Sequence, residues 1–234
     1  TDPSYYKQIL TFTFPHIGNV GINLEDYESS KPHVSGIVTS SIPTNDSSWR
    51  SENSLTNWMI HKKVIGICNV DTRKITKKIR DQGAQDVAIE HRKDGKFLDE
   101  ELSEKLLNFP GLKGMDLARN VSCRKPYNFT ELGFPWIEQK SVIGKKVVVI
   151  DYGIKANILR KLASHGFEIT VVPADFPANE ILKLNPKGIF LSNGPGDPAA
   201  THKYSGPIIK NIISQKNLPI FGICLGHQLL GLAL

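Results

Sequence analysis

The chain has 234 residues, 40% of them hydrophobic and 22% charged, and 29 Lys+Arg against 23 Asp+Glu give a net charge of +6. That length supplies one large or two modest domains with a sizeable core, and the apolar fraction excludes wholesale disorder. No stretch approaches the ~18 consecutive apolar residues needed to cross a bilayer, so no membrane association is expected, and three cysteines, Cys68, Cys123 and Cys224, are too few and odd in number for a disulfide framework, which favours a reducing, cytoplasmic setting.

Over residues 1–120, short mixed segments are broken by Pro and Gly, as in Phe14-Pro15-His16-Ile17-Gly18 and Phe109-Pro110-Gly111-Leu112-Lys113-Gly114. A smaller mixed α/β domain is expected there. Ile65-Gly66-Ile67-Cys68 reads as strand, with Cys68 an inert residue in its interior. Residues 61–80 carry seven Lys/Arg against Asp71 alone. Lys74, Lys77, Lys78 and Arg80 with Ile75 and Ile79 predict an amphipathic helix. Its charged face is read first as solvated and second as a subunit contact. Nucleic acid is not expected, because no aromatic residues interleave the charges. Residues 121–145, with Cys123, Pro126, Pro135 and no sustained periodicity, read as a connector.

From residue 146 the pattern turns regular. Val147-Val148-Val149-Ile150 is a continuous apolar run, as expected of a strand buried on both faces. Ile154, Ile158, Leu159 and Leu162 recur at helical spacing, and Gly166 supplies a stop. Strands follow at Ile169–Val172, Gly188–Ser192 and Pro219–Ile223, separated by helices predicted over 178–184 and 205–215, and a last helix begins at Leu225. This alternation predicts a doubly wound α/β domain over 146–234 with a parallel sheet, whose chemistry belongs at the carboxyl ends of the strands. The chain begins at Thr1, without Met, and ends within the apolar run Leu229–Leu234. It therefore reads as a piece of a longer protein clipped at both ends, with an incomplete second domain and the apolar face of that run uncovered.

Two segments carry the chemistry. Gly222-Ile223-Cys224-Leu225-Gly226 joins an apolar strand to an apolar helix, the layout of a nucleophile elbow. A sharp turn lifts the Cys224 thiol above the sheet, and Gly at −2 and +2 lets neighbouring backbone pass without a Cβ collision. The Leu225 N–H then points to where an oxyanion would form, and the helix dipole favours a thiolate. Cys68 repeats the Gly-Ile-Cys triplet but has no Gly at +2 and no helix beginning at once. The second segment, Ser192-Asn193-Gly194-Pro195-Gly196-Asp197-Pro198, puts a glycine loop at the end of the preceding strand. It reads as a substrate rim and a second oxyanion donor; it is not a Walker phosphate loop, since the spacing and the Lys are absent.

With these segments in view, Phe221–Gln228 and Leu191–Pro198 resemble a class I, triad-type glutamine amidotransferase. Thr1-Asp2-Pro3-Ser4-Tyr5, Phe14–Gly21, Asp71-Thr72-Arg73-Lys74 and Phe109–Leu117 are further similar to the small subunit of carbamoyl-phosphate synthase, so the likeness covers nearly the whole chain. The resemblance implies that Cys224 attacks the side-chain amide of glutamine, that Ser4, Gly194, Gly196 and Gln228 bind glutamine, and that Leu225 N–H holds the oxyanion. It implies a large-subunit partner where ATP, magnesium and bicarbonate act, with no cofactor or metal on this chain, and a role in arginine or pyrimidine biosynthesis. The family's general base lies in a His-Pro-Glu segment downstream of the nucleophile. No such triplet occurs in these 234 residues, so they are not expected to turn over glutamine by themselves. His227, three residues past Cys224, is expected to point along the helix rather than at the thiol. Two rival readings are a Cys-dependent α/β-hydrolase and a docking fragment without catalytic activity.

Overall fold

The computed structural model describes residues 1–96, 99–133, 144–215 and 217–234. By its internal contacts the chain divides into two compact units, one of Thr1 and Lys7–Gly111, the other of Asp2–Tyr6 and Leu112–Leu234.

The first unit is built on a short parallel sheet of β1 (Ile9–Thr11), β2 (Gly36–Val38) and β3 (Gly66–Ile67), in that spatial order, with helices α1 (Leu55–Lys62), α2 (Thr72–Gln82) and α3 (Asp99–Leu107). All three residues of the central strand β2 are buried. Trp58 of α1 is buried too; its indole N–H donates to the Tyr27 hydroxyl, and the two rings meet edge to face at 6.4 Å. Helix α2 is the amphipathic helix expected around Lys74–Arg80. It begins where the Asp71 carboxylate accepts the Lys74 N–H at 2.9 Å, a side-chain cap for an otherwise unpaired donor. Cys68 does not lie inside a strand. β3 stops at Ile67, and Asn69 takes φ +60°, a left-handed turn that a β-ladder does not continue.

The second unit is a five-stranded sheet covered by helices. In chain order it contains α4 (Ala118–Val121), β4 (Tyr127–Phe129), β5 (Lys145–Asp151), α5 (Ala156–Ser164), β6 (Phe167–Pro173), α6 (Ala178–Lys183), β7 (Gly188–Leu191), α7 (Pro198–Gln215), β8 (Ile220–Gly222) and α8 (Leu225–Ala233). The spatial order is β4-β6-β5-β7-β8; β5 to β8 are parallel and β4 runs antiparallel to β6. Alternation along β5 feeds two cores. Val148 and Ile150 pack with Ile181, Ile209, Ile212, Leu225 and Leu229 of α6, α7 and α8, whereas Val147 and Val149 pack with Leu159 of α5, Ile169, Val171 and Phe190. A strand covered on both faces has no polar side, which is why 147–150 reads as an unbroken apolar run.

Three features differ from expectation. Residues 112–120 and Asp2–Tyr6 pack with the second unit rather than with an N-terminal domain of residues 1–120. Hydrogen bonds made over 80 or more residues of sequence hold them there, and no local pattern announces such bonds. Within the stretch read as a 121–145 connector, Tyr127–Phe129 forms an edge strand, with Tyr127 opposite Val171 and Phe129 opposite Ile169; residues 134–143, Pro135 among them, lie outside the described residues. Helix α7 starts at Pro198, not at 205. Its buried stripe runs Thr201, Ser205, Ile209, Ile212, so the first half of the core-facing face is polar and apolar periodicity emerges only from Ile208. The buried Ser205 hydroxyl is satisfied by the Tyr152 hydroxyl. The apolar run at the chain's end is also less exposed than expected: Leu229 and Ala233 are buried in the core, while Leu232 and Leu234 face solvent. No described helix is long and apolar enough to cross a membrane.

Candidate active site

In the second unit the chain moves from β5 outward to β6 and then returns to the opposite side of β5 with β7. The carboxyl ends of β5 and β7 therefore bound a topological switch point, where doubly wound sheets open a crevice for ligands. Both motifs singled out in the sequence gather at this edge.

The elbow is formed by the end of β8 and the start of α8. Cys224 is exposed and holds φ +48°, ψ −113°, a conformation that costs a non-glycine residue of order 1–3 kcal/mol and persists only where its surroundings enforce it. Those surroundings are backbone. A Cβ on Gly222 would stand 2.7 Å from Gly226 C and His227 N, and one on Gly226 would stand 2.2 Å from the Leu191 carbonyl oxygen. The Gly226 N–H donates to Ser192 O and Ile223 O, both at 3.0 Å, and the Ile223 N–H to Leu191 O at 3.1 Å. These bonds tie the elbow to the end of β7. The Leu225 N–H, the first of α8, is one of the donors that a helix cannot pair internally. Gln228 and His227 lie in the first turn of α8 with exposed side chains, and the Gln228 N–H donates to Cys224 O at 3.0 Å.

The glycine loop leaves β7 beside this elbow, and the fold itself requires both of its glycines. A Cβ on Gly194 would lie 2.1 Å from Tyr152 O at the end of β5; Gly196, at φ +100°, would press one to 2.9 Å from Met115 O and Leu117 N. Close approach to neighbouring backbone is what the structure shows. Past the loop, the Asp197 carboxylate accepts the Gly114 N–H at 2.8 Å and the Ala199 N–H at 2.8 Å, so it clamps residues 112–117 onto the loop and caps α7. These two backbone donors hold its carboxyl below the usual carboxylate pKa.

Ser4 reaches the same edge from the opposite end of the sequence. Asp2 accepts the Ser4 N–H at 2.9 Å and shapes the turn Pro3–Tyr5. The Asn193 amide Nδ2 donates to Ser4 Oγ at 2.9 Å and to Gly153 O at 2.9 Å. The sites read from the sequence thus fall into one cluster, with Ser4 bonded beside Gly194 and with the elbow bonded to Ser192. Gly196 sits at the far side of the loop against residues 115–117. Sequence reasoning missed Asn193 and Asp197 as organisers, because their partners Ser4, Gly114, Gly153 and Lys155 are remote in sequence. The one local signal is that each polar residue flanks the Gly-Pro-Gly.

The other two cysteines are placed differently. Cys123 is half-buried, its N–H donates to Asp151 at 2.7 Å, and burial together with the Asp151 charge pushes its thiol pKa up to about 12. A thiol so disfavoured as thiolate is a poor nucleophile. Cys68 is half-buried after β3 in the first unit.

An exposed cysteine on a strained strand-to-helix turn, beside a glycine loop at the edge of a parallel sheet, is the arrangement of a nucleophile elbow. Residues 148–234 match the family model for glutamine amidotransferase class-I, and residues 1–89 match that for the carbamoyl-phosphate synthase small chain, CPSase domain. The whole chain aligns with carbamoyl phosphate synthase small chains: 50% identity to that of Ruegeria pomeroyi, 47% to that of Vibrio parahaemolyticus and 45% to that of Bradyrhizobium diazoefficiens, covering 61%, 62% and 60% of those proteins. Over its whole length the chain is similar to these carbamoyl phosphate synthase small chains, and it spans about three fifths of their length.

Proposed function

We propose that this chain carries the nucleophile and substrate cradle of a glutamine-hydrolysing carbamoyl-phosphate synthase small subunit. Cys224 adds through sulfur to the side-chain amide carbon of glutamine, and the carbonyl oxygen becomes an oxyanion held by the Leu225 N–H and a donor from the Gly194–Gly196 loop. The C–N bond then breaks, and the nitrogen takes a proton and leaves as ammonia. Water hydrolyses the remaining glutamyl thioester to glutamate and returns the thiol. Ser4, Gly194, Gly196 and Gln228 hold the substrate. The proton shuttle is assigned to a His-Pro-Glu segment, which these residues do not contain, so residues 1–234 alone are expected to lack turnover.

Ammonia then passes to a large subunit that uses ATP, magnesium and bicarbonate to make carbamoyl phosphate, in the cytoplasm. Similarity to carbamoyl phosphate synthase small chains over the whole chain supports that division of labour. The observation that carries the reading is Cys224 held at φ +48° between two glycines at the β8–α8 junction. The test is glutamate release by the full-length small chain with Cys224 intact and with Cys224→Ser. Loss of release in the variant is expected, and undiminished release overturns the reading.

A further inference from the structure

We infer that Ser192 is a positioning residue whose hydroxyl locks the peptide between Asn193 and Gly194, so that the Gly194 N–H stands ready as the loop's oxyanion donor. This deepens the proposed function and rests on its reading of Cys224 as the group that adds to glutamine.

Ser192 follows β7 directly and is fully buried. Its Oγ meets two backbone groups of fixed sense. The Tyr152 N–H can only donate, and reaches Oγ at 2.8 Å; the Asn193 carbonyl can only accept, and lies 2.7 Å away. The single hydroxyl hydrogen therefore goes to Asn193 O. That oxygen belongs to the Asn193–Gly194 peptide, which is planar and trans, so the Gly194 N–H is held on the side opposite to Ser192 Oγ. A peptide leading into glycine is ordinarily free to turn. Here the Ser192 hydroxyl holds its oxygen, and the Asn193 side chain is itself anchored by Nδ2 on Gly153 O at 2.9 Å. Gly194 is half-buried, and its N–H has no acceptor among the described residues, an uncommon state for a backbone donor away from bulk water. Of the other loop residues, Pro195 carries no N–H and Gly196 sits against Met115 and Leu117. Ser192, by contrast, is bonded to the elbow itself, through Ser192 O and the Gly226 N–H at 3.0 Å. One residue thus ties the Cys224 turn to the peptide that carries the donor.

The test is Ser192→Ala in the full-length small chain assembled with its large partner, with ammonia-driven synthesis as the control for an intact complex. Loosening a donor that acts only on the oxyanion is expected to lower kcat for glutamate release by about tenfold while KM stays within about twofold. That is less than the roughly 10²–10³ lost when such a donor is deleted outright. Alkylation of Cys224 by iodoacetamide is the discriminating readout. It displaces iodide from a saturated carbon and forms no oxyanion, so its rate is expected to be unchanged. If Ser192→Ala does not yield an intact complex, Ser192→Cys replaces it. That thiol fills the same space but donates weakly, and the same pattern is expected, with alkylation read on the peptide that contains Cys224. A kcat less than about threefold below the parent, a loss carried by KM, or a parallel fall in Cys224 alkylation overturns the role of Ser192. Undiminished glutamate release by Cys224→Ser overturns the reading beneath it instead, and the two failures are distinguishable.

Discussion

Three thiols share a chain, and their surroundings separate them. Cys224 is exposed on a left-handed turn, whereas Cys123 is half-buried beside a carboxylate. In full-length protein, Cys224→Ser is expected to abolish glutamate release, while Cys68→Ser and Cys123→Ser stay within a few-fold of the parent; steady-state assay of the three variants checks this. Alkylation offers a second readout, because at pH 8 iodoacetamide is expected to label Cys224 and leave Cys123 unmodified, as peptide mapping will register. The raised Cys123 pKa also has a sign for stability. Its folded value of about 12 exceeds the ordinary one of about 8.5, so the unfolded chain loses the proton first. Its contribution is fully present below about pH 8.5 and is lost as pH rises toward the folded value. The elbow glycines are equally specific. Gly226→Ala would place a methyl 2.2 Å from the Leu191 carbonyl, and backbone on both sides has nowhere to go. A loss of about 1–3 kcal/mol is expected from overpacking of this kind, measurable by denaturant unfolding of the second unit.

At the scale of elements, the glycine loop owes its place to what flanks it. Asp197 caps α7 with Pro198 as the first helical residue, and it also reaches Gly114. Asp197→Ala is expected to cost about 1 kcal/mol, the usual worth of an N-cap. Because the folded carboxyl pKa is lowered, that stabilisation is present above the unfolded value of about 3.9 and is lost as pH falls through the folded one. Melting curves of parent and variant should therefore separate near pH 7 and converge in acid. Helix α2 is the opposite case, a basic face with no assigned task. Reversing Lys74, Lys77 and Lys78 together to Glu is expected to leave large-subunit association within tenfold, and a salt-sensitive loss beyond that would mark the face as an interface. Elements were legible in the sequence where one chemistry repeats: β5 from its apolar run, α2 and α5 from helical spacing, the elbow from paired glycines. Where the structure uses Thr201 and Ser205 as core residues, or makes an edge strand from Tyr127–Phe129, apolar periodicity has nothing to report.

Across the molecule, the first residues of the chain and a strand end nearly 190 residues later are joined through Ser4 and Asn193 within the second unit. The glycine loop and elbow could be read in advance because their residues are contiguous. The bonds that set Ser4, Gly153 and Asp197 around them could not, because they close loops of 40 to 189 residues. The proposed function divides the chemistry between two subunits in the same way. With Cys224→Ser, the assembled enzyme is expected to keep ammonia-driven synthesis of carbamoyl phosphate while losing synthesis from glutamine, and parallel assays with the two nitrogen donors read this directly. The central claim, that Cys224 forms the bond to substrate, is tested most closely by trapping that bond. Full-length enzyme turning over labelled glutamine is quenched in acid, digested and examined by mass spectrometry. A glutamyl thioester on the peptide containing Cys224, absent from Cys224→Ser, is the predicted result; an adduct on Cys68 or Cys123 instead, or glutamate release with no adduct on any cysteine under conditions where the thioester is stable, would contradict it.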